Sequence, residues 1–110
     1  MATVIELTPE LCESVTQQQG VVLLYFRAEW CGACKTMGRI LDQVIAETPP
    51  ELLIAKCNIE ECLECAANYE VSSIPRMVIG KDGKEIKRIN SAVGKAALLA
   101  ELAPLLAEKK

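Results

Sequence analysis

Histidine is absent from this sequence of 110 residues. Its absence excludes Cys–His nucleophile pairs, histidine-ligated zinc and histidine proton shuttles, leaving lysine, carboxylates, tyrosine and cysteine as the reactive side chains. An excess of positive charge is missing too: 12 Lys and Arg stand against 15 Asp and Glu, for a net charge of −3. With the two signs interspersed, this argues against a nucleic-acid-binding or anionic-membrane surface. No hydrophobic run is long. The longest, Val21 to Phe26, has a strand's length and falls far short of the roughly 20 residues a membrane span requires. Residues Met1 to Glu6 carry no basic segment followed by an apolar one, so they do not read as a secretory signal, and a cytoplasmic protein is expected. There is no internal repeat, low-complexity stretch or linker, and residues 1–110 read as a single domain.

What is present is ordinary globular material, 51% hydrophobic and 25% charged. At this length roughly 60–70% of the unfolded chain's surface can be hidden on folding, so one core suffices without a metal or disulfide scaffold. The six cysteines are therefore not staples by default. In a reducing compartment, thiols are more often catalytic, redox-sensing or metal-binding than structural.

Thr3 to Leu7 reads as a first strand. Thr8-Pro9-Glu10 opens a helix running to about Gln18, with proline at its first position, and Gly20 ends it. Val21 to Phe26, β-branched and apolar throughout, predicts a central strand buried on both faces. After Cys31-Gly32-Ala33-Cys34, residues Met37, Ile40, Leu41, Val44 and Ile45 fall at helical spacing until Thr48-Pro49-Pro50 breaks the pattern. Leu52 to Cys57 predicts another interior strand, and Glu60 to Asn68 a short helix. Met77 to Ile79 and Glu85 to Asn90 form a hairpin about Lys81-Asp82-Gly83-Lys84. A last helix begins near Val93, kinks or ends at Pro104, and frays over Glu108-Lys109-Lys110. The order predicts an α/β mixed sheet with helices on both faces.

The cysteine pair thus lies where a buried strand gives way to a long amphipathic helix. There the first thiol faces unpaired backbone N–H groups and the positive end of the helix dipole, which favour its thiolate. Cys31 is placed to attack a disulfide, and Cys34, one turn deeper, to attack Cys31 in turn and release the product. The competing reading of Cys-x2-Cys, half of a zinc site, normally requires a knuckle and a second ligand pair.

Trp30-Cys31-Gly32-Ala33-Cys34-Lys35, preceded by Ala28-Glu29, resembles the Trp-Cys-Gly-Pro-Cys-Lys of the thioredoxin family. Ile74-Pro75 is similar to that family's cis-proline loop, Lys81-Asp82-Gly83 to its hairpin turn, and Lys56 to a lysine after its third strand. The resemblance covers nearly the whole chain. It implies a thioredoxin fold, about five strands flanked by four helices, with Cys31 as nucleophile and Cys34 as resolving thiol. It also implies a substrate surface of Trp30, Gly32, Ala33, Ile74, Pro75 and Arg76.

Departures from the family pattern matter as much. Tyr25 stands where the family buries an aspartate that manages the proton of the resolving cysteine, and a phenol is a poor base at neutral pH. Lys56, Glu29 or water must then do that work, or the resolving step is slow; Tyr25 itself reads as a larger core residue rather than a catalytic one. Ala33 replaces a restraining proline, from which a less negative reduction potential is expected. Arg27 and Arg76 replace a tryptophan and a threonine, Asn90-Ser91-Ala92 replaces Val-Gly-Ala, and Gly38-Arg39 lacks a kinking proline. Each arginine either supports the Cys31 thiolate and selects partners or is paired in solvent with a carboxylate such as Glu29.

Cys57, Cys62 and Cys65 echo the first three ligands of an iron–sulfur site, but no fourth cysteine follows Cys65. Cys62 and Cys65, three apart on a helix, are candidates for a second, regulatory disulfide or for small semi-buried core residues. Cys12 reads as a lone core-facing thiol without a role. The expectation is a protein-disulfide reductase without bound cofactor or metal, monomeric, acting on disulfide-containing proteins and recycled by a thioredoxin-reductase-type donor. The alternatives are a thiol oxidant or isomerase, or a redox-sensing binding module on the same fold.

Overall fold

The computed structural model describes residues 1–108; Lys109 and Lys110, expected to fray, lie outside the described residues. In chain order the elements are β1 (Thr3–Glu6), a 3-10 turn (Pro9–Leu11) running into α1 (Cys12–Gln17), β2 (Val21–Arg27), α2 (Gly32–Glu47), β3 (Leu53–Asn58), α3 (Leu63–Asn68), β4 (Arg76–Lys81), β5 (Lys84–Ile89) and α4 (Lys95–Ala107). The strands form one mixed sheet in the order β1-β3-β2-β4-β5. β1 and β2 run parallel to β3, and β4 runs antiparallel to both β2 and β5.

The uninterrupted apolar run of β2 makes it the middle strand, with a core on either side of it. Leu23 and Tyr25 face one core with Met37, Leu41 and Val44 of α2 and Leu98 and Leu102 of α4. Val22, Leu24 and Phe26 alternate to the other, with Val15, Cys57, Cys65, Ala66 and Val78. Each such aliphatic side chain, fully buried, contributes about 1.5–3 kcal/mol from removal of its surface from water. The β4–β5 hairpin turns through Asp82 and Gly83, whose φ values of 52° and 83° suit a two-residue turn that matches the strand twist. Asp82 Oδ1 also accepts a hydrogen bond from the Gly20 N–H at 2.8 Å, fastening this turn to the chain entering β2.

Several expectations are corrected. The first helix is not continuous from Thr8: its opening turn is 3-10 and the α-helix begins at Cys12. The helix expected from Glu60 starts at Leu63, because the Asn58 side chain takes the Glu60 N–H at 2.9 Å and holds the preceding residues as a turn. α4 starts at Lys95 and passes through Pro104 to Ala107. Proline in a helix interior costs about 3 kcal/mol. Leu98 and Leu102 are completely buried on the inner face of α4, and that burial offsets the cost while Pro104 lies outside. Glu108 is held by an ion pair to Lys81 at 3.0 Å.

Candidate redox site

Because β2 lies in the middle of the sheet and ends at Arg27, the segment Ala28 to Cys31 emerges at the sheet's C-terminal edge and delivers Cys31 to the head of α2. Cys31 is the N-cap of this 16-residue helix, in extended conformation, and its Sγ accepts the Cys34 N–H at 3.1 Å. The first turn of α2 contains no acidic residue to oppose a negative charge on that sulfur. Cys31 and Cys34 are joined by a disulfide, with Cα atoms 5.2 Å apart. Both are largely covered, at 7% and 3% exposure, while the neighbouring Trp30 is 67% exposed. Gly32 and Ala33, also exposed, form the outer edge of the turn.

The Ile74–Pro75 peptide bond is cis. Arg76 is in register with Phe26, so the antiparallel β2–β4 pairing brings Pro75 to the end of β2, where the cysteine segment leaves the sheet. A groove of about 300 Å³ runs between Trp30 and this loop, lined by Ile59, Val71, Ser72, Ser73 and Ile74. Ile59, Val71 and the two serines were not singled out from sequence. Ile59, following the third strand, is the one with a readable signal: an apolar residue just past a strand's end.

Arg76 does not reach into that groove. It is 8% exposed, and its guanidinium donates to the Glu70 carbonyl at 3.1 Å and to Ser73 Oγ at 3.2 Å, bracing the loop before Pro75 from behind. Arg27 turns to carboxylates: its guanidinium lies 3.4 Å from Glu29 and 3.9 Å from Glu6.

Beneath Cys34, on the α2 side, opens a second cleft of about 390 Å³. Tyr25, Glu29 and Lys56, the sequence candidates for proton or charge tuning, all line it with Cys34. So do Glu6 and Asp42, which sequence reasoning missed. Asp42 lies two helical turns beyond Cys34 on one face of α2, a spacing that would have pointed to it. The Tyr25 hydroxyl donates to the Cys34 carbonyl oxygen, not to its sulfur. Burial raises the Tyr25 phenol above its ordinary value of 10.0, against a smaller lowering by Arg27, so it remains a proton donor at neutral pH.

Of the two readings of Cys62 and Cys65, the disulfide between them does not form. Cys62 sits at the N-cap of α3 with φ −127° and ψ 55°, off the helix face, and its thiol donates to the Leu7 carbonyl at 3.0 Å. Cys65 instead forms a disulfide with Cys12, at a Cα separation of 6.1 Å, so Cys12 is not the lone thiol expected from sequence. Cys57 and Cys62 are free. Burial, reinforced by Cys62, pushes the Cys57 thiol up to about 12.

Residues 3–104 match the family model described as thioredoxin. Among curated relatives, thioredoxin of Mycobacterium bovis is 42% identical over 85 residues, covering 77% of this chain and 73% of that protein. A protein of Mycobacterium leprae named bifunctional thioredoxin reductase/thioredoxin is 39% identical over 85 residues, 77% of this chain but 19% of its own length. Among solved structures, a mutant thioredoxin from Halobacterium salinarum superimposes with a TM-score of 0.85 at 22% identity, covering 98% of this chain and 95% of that one.

Proposed function

This chain belongs to the thioredoxin family and is a protein-disulfide reductase, a thiol–disulfide oxidoreductase, and from that premise we propose that Cys31 is its nucleophile and Cys34 its resolving thiol. The observation that carries the assignment is the position of Cys31 Sγ at the head of α2, accepting the Cys34 N–H. In the dithiol form the same N–H and the helix dipole stabilise a thiolate there. The Cys31 thiolate attacks one sulfur of a substrate disulfide, the other substrate sulfur leaves and is protonated, and a mixed disulfide joins the two proteins. Cys34 loses its proton and attacks Cys31 Sγ; the second substrate sulfur departs as a thiol and the Cys31–Cys34 disulfide remains.

The substrate lies in the groove between Trp30 and Ile74, extending past Pro75 to the exposed edge formed by Gly32 and Ala33, with Arg76 positioning the loop. The Cys34 proton leaves through water in the cleft of Lys56, Glu29, Asp42 and Glu6, since Tyr25 is committed to a carbonyl and holds its own proton. Thioredoxins act on disulfide substrates and are reduced by thioredoxin reductase; the fused Mycobacterium leprae relative supports the same kind of donor here. Residues 1–110 act as one monomeric domain in the cytoplasm, without nucleic-acid or membrane contacts; no helix among the described residues is long and apolar enough to cross a membrane.

Insulin reduction driven by a thioredoxin reductase and NADPH tests the assignment. The parent turns over, Cys31→Ser is inactive, and Cys34→Ser accumulates a mixed disulfide through Cys31. Trapping through any other cysteine overturns it.

A further inference from the structure

The side of the sheet away from α2 carries four cysteines that the reaction at Cys31 and Cys34 does not use. Cys12 at the start of α1 and Cys65 within α3 are bonded across 53 residues of sequence. Cys57 at the end of β3 and Cys62 before α3 are free thiols at 0% and 1% exposure, packed in the same apolar cluster. Cys65, at 1% exposure, is buried in that cluster too, and Cys12 packs against it half-buried. Both Cys12 and Cys65 line a cleft of about 510 Å³, walled by Glu13, Thr16, Glu64 and Asn68. Cys12 is half-buried, whereas Cys65 is almost wholly covered, so Cys12 is the more accessible residue of the pair.

We propose that this cleft is a second thiol–disulfide exchange site, in which a small uncharged or cationic thiol compound opens the Cys12–Cys65 disulfide. The incoming thiolate attacks Cys12 Sγ; the Cys12–Cys65 bond breaks and Cys65 leaves as a thiolate that takes a proton from water. With a dithiol, the second thiolate attacks the reagent's own sulfur in the mixed disulfide and frees Cys12, which is protonated. The protein disulfide has then gained two electrons and two protons, and the dithiol has lost the same. With a monothiol, the product is Cys12 carrying the reagent until a second thiol removes it. Charge sets the preference: Glu13 and Glu64 face the cleft, and no lysine or arginine is among the described residues lining it, so an anionic thiol is repelled. Cys57 and Cys62 stay out of the exchange because they are covered, and the high value of the Cys57 thiol leaves little thiolate there.

The test uses the full chain with Cys31→Ser/Cys34→Ser, so that only this centre reports. The protein is treated with dithiothreitol without denaturant, quenched in acid, unfolded, alkylated with iodoacetamide and mapped by mass spectrometry. Untreated protein takes label on Cys57 and Cys62 alone; treated protein gains label on Cys12 and Cys65 while its circular dichroism stays native. At matched thiolate concentration and low salt, cysteamine opens the disulfide several-fold faster than 2-mercaptoethanesulfonate, and Glu13→Gln/Glu64→Gln or added salt closes the gap. If the serine variant does not fold, the parent gives the same readout, because tryptic cleavage places Cys12 and Cys65 on peptides separate from Cys31 and Cys34. A disulfide that dithiothreitol leaves intact in the folded protein overturns the proposal, as does label appearing on Cys12 without any reductant, or an anionic thiol that keeps pace with cysteamine. None of these outcomes depends on the roles assigned to Cys31 and Cys34.

Discussion

The Tyr25 hydroxyl donates a hydrogen bond of 2.5 Å to the carbonyl oxygen of Cys34. It ties the middle strand to the first turn of α2, at the backbone of Cys34 but not at its sulfur. Tyr25 is 1% exposed and packs with Met37 and Leu41 in the same core. It is therefore expected to hold the cysteine turn in place rather than to move a proton. Tyr25→Phe, which keeps the ring, is expected to cost about 1 kcal/mol in urea unfolding of the oxidised protein and to leave the pH profile of insulin reduction in place. A displaced profile would give the phenol a part in proton transfer.

Lys56 and Asp42 are the side chains proposed to assist departure of the Cys34 proton. Both line the cleft that reaches Cys34. Removing the charge of either, as Lys56→Gln or Asp42→Asn, is expected to slow release of product from the mixed disulfide by up to about tenfold, the scale of general acid–base assistance at its weaker end. The pH midpoint of that step should move with it. Stopped-flow Trp30 fluorescence checks this, and unchanged profiles in both variants would exclude the cleft as the proton path.

Ala33, exposed at the turn between the cysteines, does not restrain the dithiol form as a proline would. A glutathione or dithiothreitol titration of Cys31 and Cys34 should place the potential above the roughly −270 mV given for thioredoxin, and Ala33→Pro should lower it. A parent value at or below that figure removes the basis for the expectation.

Alkaline stability follows from Cys57. Its thiol titrates at an ordinary value of 9.0 in the unfolded chain and is pushed up to about 12 in the fold by burial first and by Cys62 second. A value raised on folding means that the contribution is fully present below pH 9 and is lost as pH climbs toward 12. Urea midpoints should fall across that window, with a slope of up to about 1.4 kcal/mol per pH unit for this one proton. Cys57→Ala should flatten the slope, though the smaller side chain lowers stability at neutral pH.

Arg76 is expected to act on substrate only through the loop it braces. Arg76→Ala removes its hydrogen bonds to Glu70 and Ser73 and should destabilise the protein by about 1–3 kcal/mol. In insulin reduction it should raise KM more than it lowers kcat. An unchanged stability with a large loss of kcat would instead place the guanidinium against the substrate.

Much of the molecule was legible in the residues. The run Val21 to Phe26 pointed to an interior strand, and a Cys-x2-Cys pair after such a strand and before an amphipathic pattern pointed to a helix start rather than a zinc knuckle, which is where Cys31 and Cys34 lie. The hairpin about Asp82-Gly83 was equally plain, because few residue pairs accept positive φ at both positions. Helix α4 does not end at Pro104, since local propensity does not register how deeply Leu98 and Leu102 are buried.

Sequence alone thus determined the order of the elements and pointed to Cys31 and Cys34 as the pair proposed to carry the redox chemistry, because those depend on patterns within a dozen neighbouring residues. Tertiary structure decided the partnerships. Cys65 has Cys62 for a sequence neighbour, but the non-helical backbone at Cys62 turns that thiol toward Leu7, while packing of α3 against the 3-10 turn leaves Cys65 facing Cys12. Glu6, Asp42 and Lys56 come from three different elements and share one cleft with Cys34 only because β1, β3 and β2 are adjacent in the sheet and α2 crosses it. Such meetings are set by strand order and helix packing, which no short window of sequence contains.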